Sequence, residues 1–515
     1  MPSLLRKGMT GAVIAVLGVL AIPGIAGAQE ADPVKALGTQ TNLLWVILGA
    51  VLVIFMQAGF ALVETGFCRA KHATHVVSTN FAIFALGFVG YFVVGFGLMF
   101  GGYSLPLIGL DKAVGGPAIG SGNWVFLWKG GFALTDLVGP GGAGAAALGF
   151  FLYMVAFMDT TATIPTGAMA ERWKWKSFVI WGLFCGAVYY PLFGAWTWGG
   201  GWLAKAGDSM NLGLGYVDFA GSGVVHAVGG VAGLAGAMVL GPRLGKFNKD
   251  RSSNTLPGHH IPMAMLGTFI LLFGWFGFNA ASTFAVTDIQ FATVAANTAI
   301  AGAFGAAASM FWLMWRSGKP DPGMMCNGML AGLVAITAPC AFVDPWAAAV
   351  IGSTAGVLVI YVCSFFEKRG IDDPVGAISV HGVCGSFGVL AVGLFANGTY
   401  GAGWNATTTG AAAKSGKGVI GIFGGDFSLG LRQFGAQALG VVVIWTVIFG
   451  LAFLFFKIQD TLTKGGIRPD EATELAGLDM PEMGAVAYPE FAISDVAVEH
   501  AGASPTREEP VGLPS

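Results

Sequence analysis

The chain has 515 residues, of which 55% are hydrophobic and 10% charged, with a mean hydropathy of +0.71. A soluble domain carries about 25% charged residues, so a water-facing surface cannot be built from this composition, and lipid is the solvent for most of the protein. The 26 basic and 28 acidic residues nearly cancel, which argues against nucleic acid as a partner, because phosphate recognition requires a clustered basic excess.

The N-terminus opens with Arg6 and Lys7, continues as an apolar run from Ala12 to Ile22, and reaches Ala26-Gly27-Ala28. This order predicts a cleaved signal peptide over 1–28, with the mature chain beginning near Gln29 outside. An uncleaved first helix is the weaker alternative, because the run is short for a span of about 20 residues. Beyond residue 40 come eleven apolar segments long enough to cross a bilayer, over 42–68, 75–101, 144–170, 176–198, 219–241, 260–280, 290–316, 324–340, 346–366, 377–396 and 433–458. The expected architecture is an all-α membrane protein, with an eleven-helix transmembrane domain over 29–460, a cytoplasmic tail over 461–490 and a disordered extension over 491–515. The 82 glycines suit such a bundle, since small residues let helices approach where no hydrophobic force drives them together. The six cysteines form no CxxC pair or metal-ligand spacing and read as small buried apolar groups.

One set of loops carries Arg69 and Lys71; Arg172, Lys174 and Lys176; Arg243, Lys246, Lys249 and Arg251; Arg316 and Lys319; and Lys368 and Arg369. The alternate set is sparse, with Lys112, Lys129, Lys205, Lys414 and Lys417 spread over mostly longer loops. The positive-inside rule puts the basic set in the cytoplasm, so the sequence predicts a multi-pass inner-membrane protein with its mature N-terminus outside and its tail inside.

Asp218-Phe-Ala-Gly-Ser-Gly-Val-Val-His226 opens the fifth segment, and Asp373-Pro-Val-Gly-Ala-Ile-Ser-Val-His381 opens the tenth. An odd offset starts the two helices from opposite faces, the signature of an inverted five-plus-five repeat with its site near the midplane. At ~1.5 Å of rise per residue, eight residues carry each histidine ~12 Å inward, to the middle of a hydrocarbon core ~30 Å thick. His226 and His381 are therefore expected at similar depth and within reach of each other. An ionisable group at that depth is a functional hypothesis by default, and a neutral imidazole offers a small amine one donor and one acceptor. Desolvation and like charge both oppose double protonation of such a pair. Asp218 and Asp373 stand at helix starts, the second before Pro374, where carboxylates cap backbone N–H groups and complement the helix dipole. For Asp218 the rival role is a cation ligand at the outer mouth.

These stretches resemble the ammonium transporter family (Amt/Mep/Rh), and its Amt branch in particular, over residues 42–490. The further motifs that carry the resemblance are Met56-Gln-Ala-Gly-Phe-Ala-Leu-Val-Glu64, Gly167-Ala-Met-Ala-Glu-Arg172, Trp198-Gly-Gly-Gly201, Gly274-Trp-Phe-Gly-Phe-Asn279 running to Ser282, and His381-Gly-Val-Cys-Gly385. The resemblance implies the ammonium transporter fold and a transport protein rather than an enzyme, with no cofactor or metal. It implies that Trp198, Ser282 and Phe157 recruit ammonium, that Phe157 and Phe278 gate the pore beneath, that Trp275 lines it, and that His226 and His381 form a twin-histidine path. The physics agrees: a cation over an aromatic face gains ~0.5–2 kcal/mol, and neutral ammonia escapes the desolvation cost a bare cation meets in an apolar pore. Tyr153, one turn before Phe157, is expected to line the outer vestibule.

Asp159 departs from the pattern, standing where many relatives carry a small residue. It is expected at a helix interface or beside Thr160 or Thr161, with a pore-electrostatic role as the alternative. Glu474-Leu-Ala-Gly-Leu-Asp479 and Gly484-Ala-Val-Ala-Tyr488 are similar to the family's regulatory C-terminus, which implies a PII-type signalling protein as partner, and the family likewise implies a homotrimer. Two other functions remain open: a non-conducting ammonium receptor on the same fold, and a membrane oxidoreductase with His226 and His381 as axial haem ligands. Trp198 and Ser282 have no purpose in the second.

Overall fold

The computed structural model describes residues 32–110, 116–135, 137 and 144–490. The expected signal peptide and C-terminal extension lie outside the described residues. Among those, ten helices are long and apolar enough to cross a membrane: α1 (Pro33–Phe67), α2 (Ala70–Phe100), α3 (Gly144–Ala168), α4 (Trp175–Trp196), α5 (Ser222–Leu240), α6 (Ile261–Thr283), α7 (Gln290–Ser317), α9 (Pro345–Lys368), α10 (Ile378–Phe395) and α11 (Phe427–Leu462). A shorter apolar helix, α8 (Pro322–Ile336), stands between α7 and α9.

Each expected segment overlaps one of these helices, and the differences have local causes. Helix α1 begins at Pro33 rather than 42 because Asp32 accepts a hydrogen bond from the Val34 N–H at 3.0 Å and proline fills the first helical position. Helix α8 has 15 residues, roughly 22 Å at the helical rise, too short to span the hydrocarbon alone. It stops before 340 because Pro339 disfavours helical backbone at the residue preceding it. The released backbone is taken up by the start of α5. Ala220 N–H donates to the Thr337 carbonyl at 3.1 Å, and Ala338 N–H to the Ser222 hydroxyl at 2.7 Å. Irregular backbone at membrane depth is tolerated where protein surrounds it in this way.

The inverted repeat is visible in the packing. Helix α1 packs on α3, α2 on α4 and α3 on α5; five helices later, α6 packs on α8, α7 on α9 and α8 on α10. The halves meet where α1 lies on α6 and α5 on α10, while α11 stands outside the repeat against α5 and α10. Burial separates centre from rim: 89% of the apolar stretch of α3 and of α5 is buried and 72% of α10, against 33% for α7, α9 and α11.

Helices α5 and α10 cross with opposite chain direction. A Cβ added at Gly230 meets the Gly382 backbone at 2.1 Å, and one at Gly385 meets the Ser222 carbonyl at 2.4 Å, so numbering rises along one helix as it falls along the other. Only glycine allows the backbones this close, and the approach brings the two histidines together.

The α2–α3 connection contains a hairpin, β1 (Ala118–Ser121) and β2 (Trp124–Trp128), that the sequence reading did not foresee. The tail folds back along the face that carries the basic loops and includes α12 (Glu471–Ala476). Leu244 N–H donates to Glu474 at 2.8 Å, and Thr74 and His75 N–H groups donate to Asp479 at 3.1 and 2.8 Å. Lys174 N–H reaches the Ile467 carbonyl at 3.0 Å.

Candidate functional site

The two histidine helices start alike. Asp218 accepts from the N–H groups of Gly221, Gly223 and Val224, each at 2.8 Å, and Asp373 from those of Gly376, Ala377 and Ile378 at 3.0, 3.1 and 2.7 Å. In both, the third residue after the aspartate is a glycine with positive φ, +115° at Gly221 and +82° at Gly376. A side chain is strained there, and glycine lets the loop close over the carboxylate. Each helix then opens with a widened π turn, Ser222–Ala227 and Ile378–Val383, which carries the histidine. The shared glycine was a sequence signal beyond the Asp and His spacing.

Three cavities lie around the two histidine helices. On the face of Trp198 lies a vestibule of about 460 Å³, lined by Trp198, Phe157, Tyr153, Ser282 and Asp218. The Trp198 indole N–H donates to the Asp218 carbonyl at 2.7 Å, and its ring meets Phe157 edge-on at 5.8 Å and 74°. Ser282 gives its hydrogen to the Phe278 carbonyl at 2.7 Å and has the Tyr153 hydroxyl at 3.0 Å, which leaves its oxygen an acceptor on the vestibule wall. At the floor, Phe157 and Phe278 stack with centroids 4.0 Å apart at 25°.

Beneath them the rings continue as a stack. His226 lies 5.4 Å from Phe278, 5.2 Å from Trp275 and 5.2 Å from His381. The two Nδ1 atoms are 3.1 Å apart, a contact that requires a hydrogen on one and a lone pair on the other. His226 is fully buried and its Nε2 has no partner among the described residues. Thr337, which sequence reasoning missed, fixes Trp275 by accepting from its indole N–H at 2.8 Å. A haem cannot stand between imidazoles in direct hydrogen-bond contact, so the axial-ligand alternative fails on geometry.

On the other side, His381 lines a cavity of about 20 Å³ with Glu64, Asn327 and Val375. Asn327 and Val375 also border a second vestibule, of about 670 Å³, that reaches Asp373, Ser379 and Lys246. Asp159 is 2% exposed, but its expected neighbours do not serve it. Thr160 and Thr161 donate to the carbonyls of Ala156 and Phe157 in their own helix, and Asp159 Oδ1 has no partner among the described residues.

The basic loops gather on the tail side, where two of their arginines are buried. Arg243 donates to Glu171 at 2.9 Å and to Asp372 at 2.8 and 3.0 Å, and Arg69 reaches Glu171 at 2.5 Å. Arg172, fully buried, donates to the carbonyls of Gly241, Ala170 and Asp372. Burial by itself pushes the Asp372 carboxyl up, but Arg172 and Arg243 hold it well below the usual carboxylate range. Glu171 is likewise pushed up by burial and brought below its ordinary value by Arg243, His72 and Arg69.

An inverted repeat of apolar helices with a contacting histidine pair buried at its centre places the chain among multi-pass membrane transport proteins. Residues 44–488 match the profile of the Ammonium Transporter Family. The chain is 41% identical to "Ammonium transporter Amt2" of Archaeoglobus fulgidus over 491 residues, 94% of this chain and 96% of that protein. Among solved structures, "Sensor Amt Protein" superposes with a TM-score of 0.74 at 35% identity, covering 87% of this chain and 100% of that one. Candida albicans Mep2 superposes with a TM-score of 0.69 at 26% identity, covering 87% and 90%. The chain belongs to the ammonium transporter family.

Proposed function

We propose that the chain conducts ammonium across the inner membrane, with the Trp198 vestibule outside and the tail in the cytoplasm. Ammonium is held between Trp198, Phe157 and the Ser282 oxygen, loses its proton at the Phe157–Phe278 gate, and crosses as ammonia beside His226 and His381. The observation that carries this reading is the Nδ1 contact of 3.1 Å placed directly under the stacked phenylalanines. It offers a neutral amine a narrow path with one donor and one acceptor and gives a bare cation no counter-charge. The gathering of basic loops on the tail side supports the orientation. In proteoliposomes the protein is expected to show ammonium-dependent flux, and His226→Ala to alter flux, current or both; wild-type values in both rule out the assigned role.

A second reading, an ammonium receptor that does not conduct, draws support from the likeness to the protein described as a sensor. Liposome flux separates the two, since a receptor binds ammonium and gives none. The docked tail from Ile467 to Tyr488 fits a regulatory segment on which a PII-type protein acts, and the exposed apolar faces of α6 and α7, with Phe269, Phe273, Phe304 and Phe311, fit lipid and the neighbours of a homotrimer.

A further inference from the structure

Glu64 lies on the wall of the passage just tail-side of the histidines, and the conduction scheme above leaves it without a task. It stands one helical turn beyond Phe60, whose ring is 6.2 Å from His381, and it shares with His381 the cavity of about 20 Å³. A single water needs about 10–15 Å³, so the space between the imidazole and the carboxyl admits one. Glu64 is 3% exposed, and among the described residues no Lys, Arg or His pairs with it.

Its partners are neutral and arranged to serve either protonation state. Asn80 Nδ2 donates to Oε2 at 2.7 Å. The Thr166 hydroxyl lies 2.9 and 2.8 Å from the two carboxyl oxygens and 2.6 Å from the Thr163 carbonyl. A hydroxyl has one hydrogen and two lone pairs. When Thr166 turns its hydrogen to Glu64, the carboxylate is satisfied; when it turns it to Thr163, a protonated Glu64 donates to the Thr166 oxygen. A buried acid with a hydrogen-bonded arrangement for each state, no counter-cation and a water-sized opening is equipped to exchange a proton, and intramembrane carboxyls of this kind mark proton paths.

We propose that Glu64 is the proton acceptor on the tail side of the histidine pair. The proton lost by ammonium passes through the paired imidazoles and one water to the Glu64 carboxylate, and from there to water in the vestibule beyond Asn327 and Val375. One N–H bond of ammonium is broken and one O–H bond forms on Glu64; the charge moves with the proton, and ammonia follows as a neutral molecule. This rests on the conduction reading.

The test reads ammonium-driven current and ammonia flux on the same proteoliposomes of the full chain. Glu64→Gln keeps the shape and most hydrogen bonds but accepts no proton, and is expected to lower the ratio of current to flux by roughly tenfold or more. Glu64→Asp is expected to restore part of that ratio. An unchanged ratio in Glu64→Gln, or wild-type flux without any current, overturns the assignment to Glu64 and leaves conduction standing. Wild-type protein with neither flux nor current overturns conduction itself. Should Glu64→Gln not assemble, Thr166→Val keeps the acid and removes its hydroxyl; a lowered ratio supports the proposal, and an unchanged one overturns it.

Discussion

The tail-side ion cluster and the histidine pair bury polar groups in opposite ways. In the cluster, Arg243 is 4% exposed and its guanidinium spans Glu171 and Asp372, while the fully buried Arg172 spends its donors on three carbonyls. His226 is equally buried, yet one ring nitrogen holds His381 and the other holds nothing among the described residues. Leaving a buried polar atom unpaired costs ~1–3 kcal/mol, and at His226 the unpaired nitrogen belongs to one of two imidazoles in direct contact. The cluster is closed and stabilises the fold; the pair is left open.

The largest effect that can break this contrast is at Arg243. Arg243→Met leaves the buried Asp372 carboxylate without its ion-pair partner and Glu171 with Arg69 as its remaining arginine, and is expected to cost ~3–5 kcal/mol, read as a large fall in the thermal unfolding midpoint in detergent. An unchanged midpoint contradicts the view that the cluster is structural.

The pH dependence of stability follows from the same pairings. Glu171 and Asp372 titrate below their ordinary values in the folded protein, so the unfolded chain binds more protons near pH 4 and stability rises with pH through that range. It is present in full above the unfolded carboxylate values near 4 and lost as pH falls below them, by on the order of 1–3 kcal/mol. Glu171→Gln together with Asp372→Asn is expected to flatten this acid limb, and a limb of unchanged slope assigns the acid sensitivity elsewhere.

The crossing that makes the open pair possible is tested next. A side chain at Gly230 meets Gly382 backbone, and backbone does not step aside as a flexible side chain does. Gly230→Ala is therefore expected to cost ~1–3 kcal/mol by overpacking and to reduce flux by parting the imidazoles. Wild-type midpoint and flux together argue that the helices have room to separate.

Much of the contrast was legible in the sequence on one side only. The histidines were within reach because the signal is local and doubled: an aspartate, seven residues and a histidine at the start of two apolar segments. The cluster was not, because Arg243 finds Glu171 and Asp372 across 72 and 129 residues, and basic loop residues read from sequence as markers of sidedness. The same holds for Glu64. It was visible within a motif, but Asn80 and Thr166, 16 and 102 residues away, are what give it neutral partners. The end of α8 was misplaced for a related reason, since Pro339 stops the helix but only contact with Ser222 and Ala220 lets it stop inside the membrane.

The smallest expected effect concerns the vestibule, where the contrast between closed and open burial meets the solvent. Trp198 is held by the Asp218 carbonyl, and Asp218 in turn holds the start of the His226 helix, so the indole is tied to the helix that carries the histidine. Trp198→Leu removes the aromatic face and keeps the apolar bulk, while Asp218 retains its three backbone donors. A cation–π contact is worth ~0.5–2 kcal/mol, so half-saturation by ammonium is expected to rise about two- to thirtyfold. Maximal flux is expected to change less, because Phe278 and the histidines lie beyond the Trp198 vestibule. If maximal flux falls as far as affinity, the indole acts on the pore through Asp218 as well as on the cation, and the vestibule belongs with the histidines as one unit.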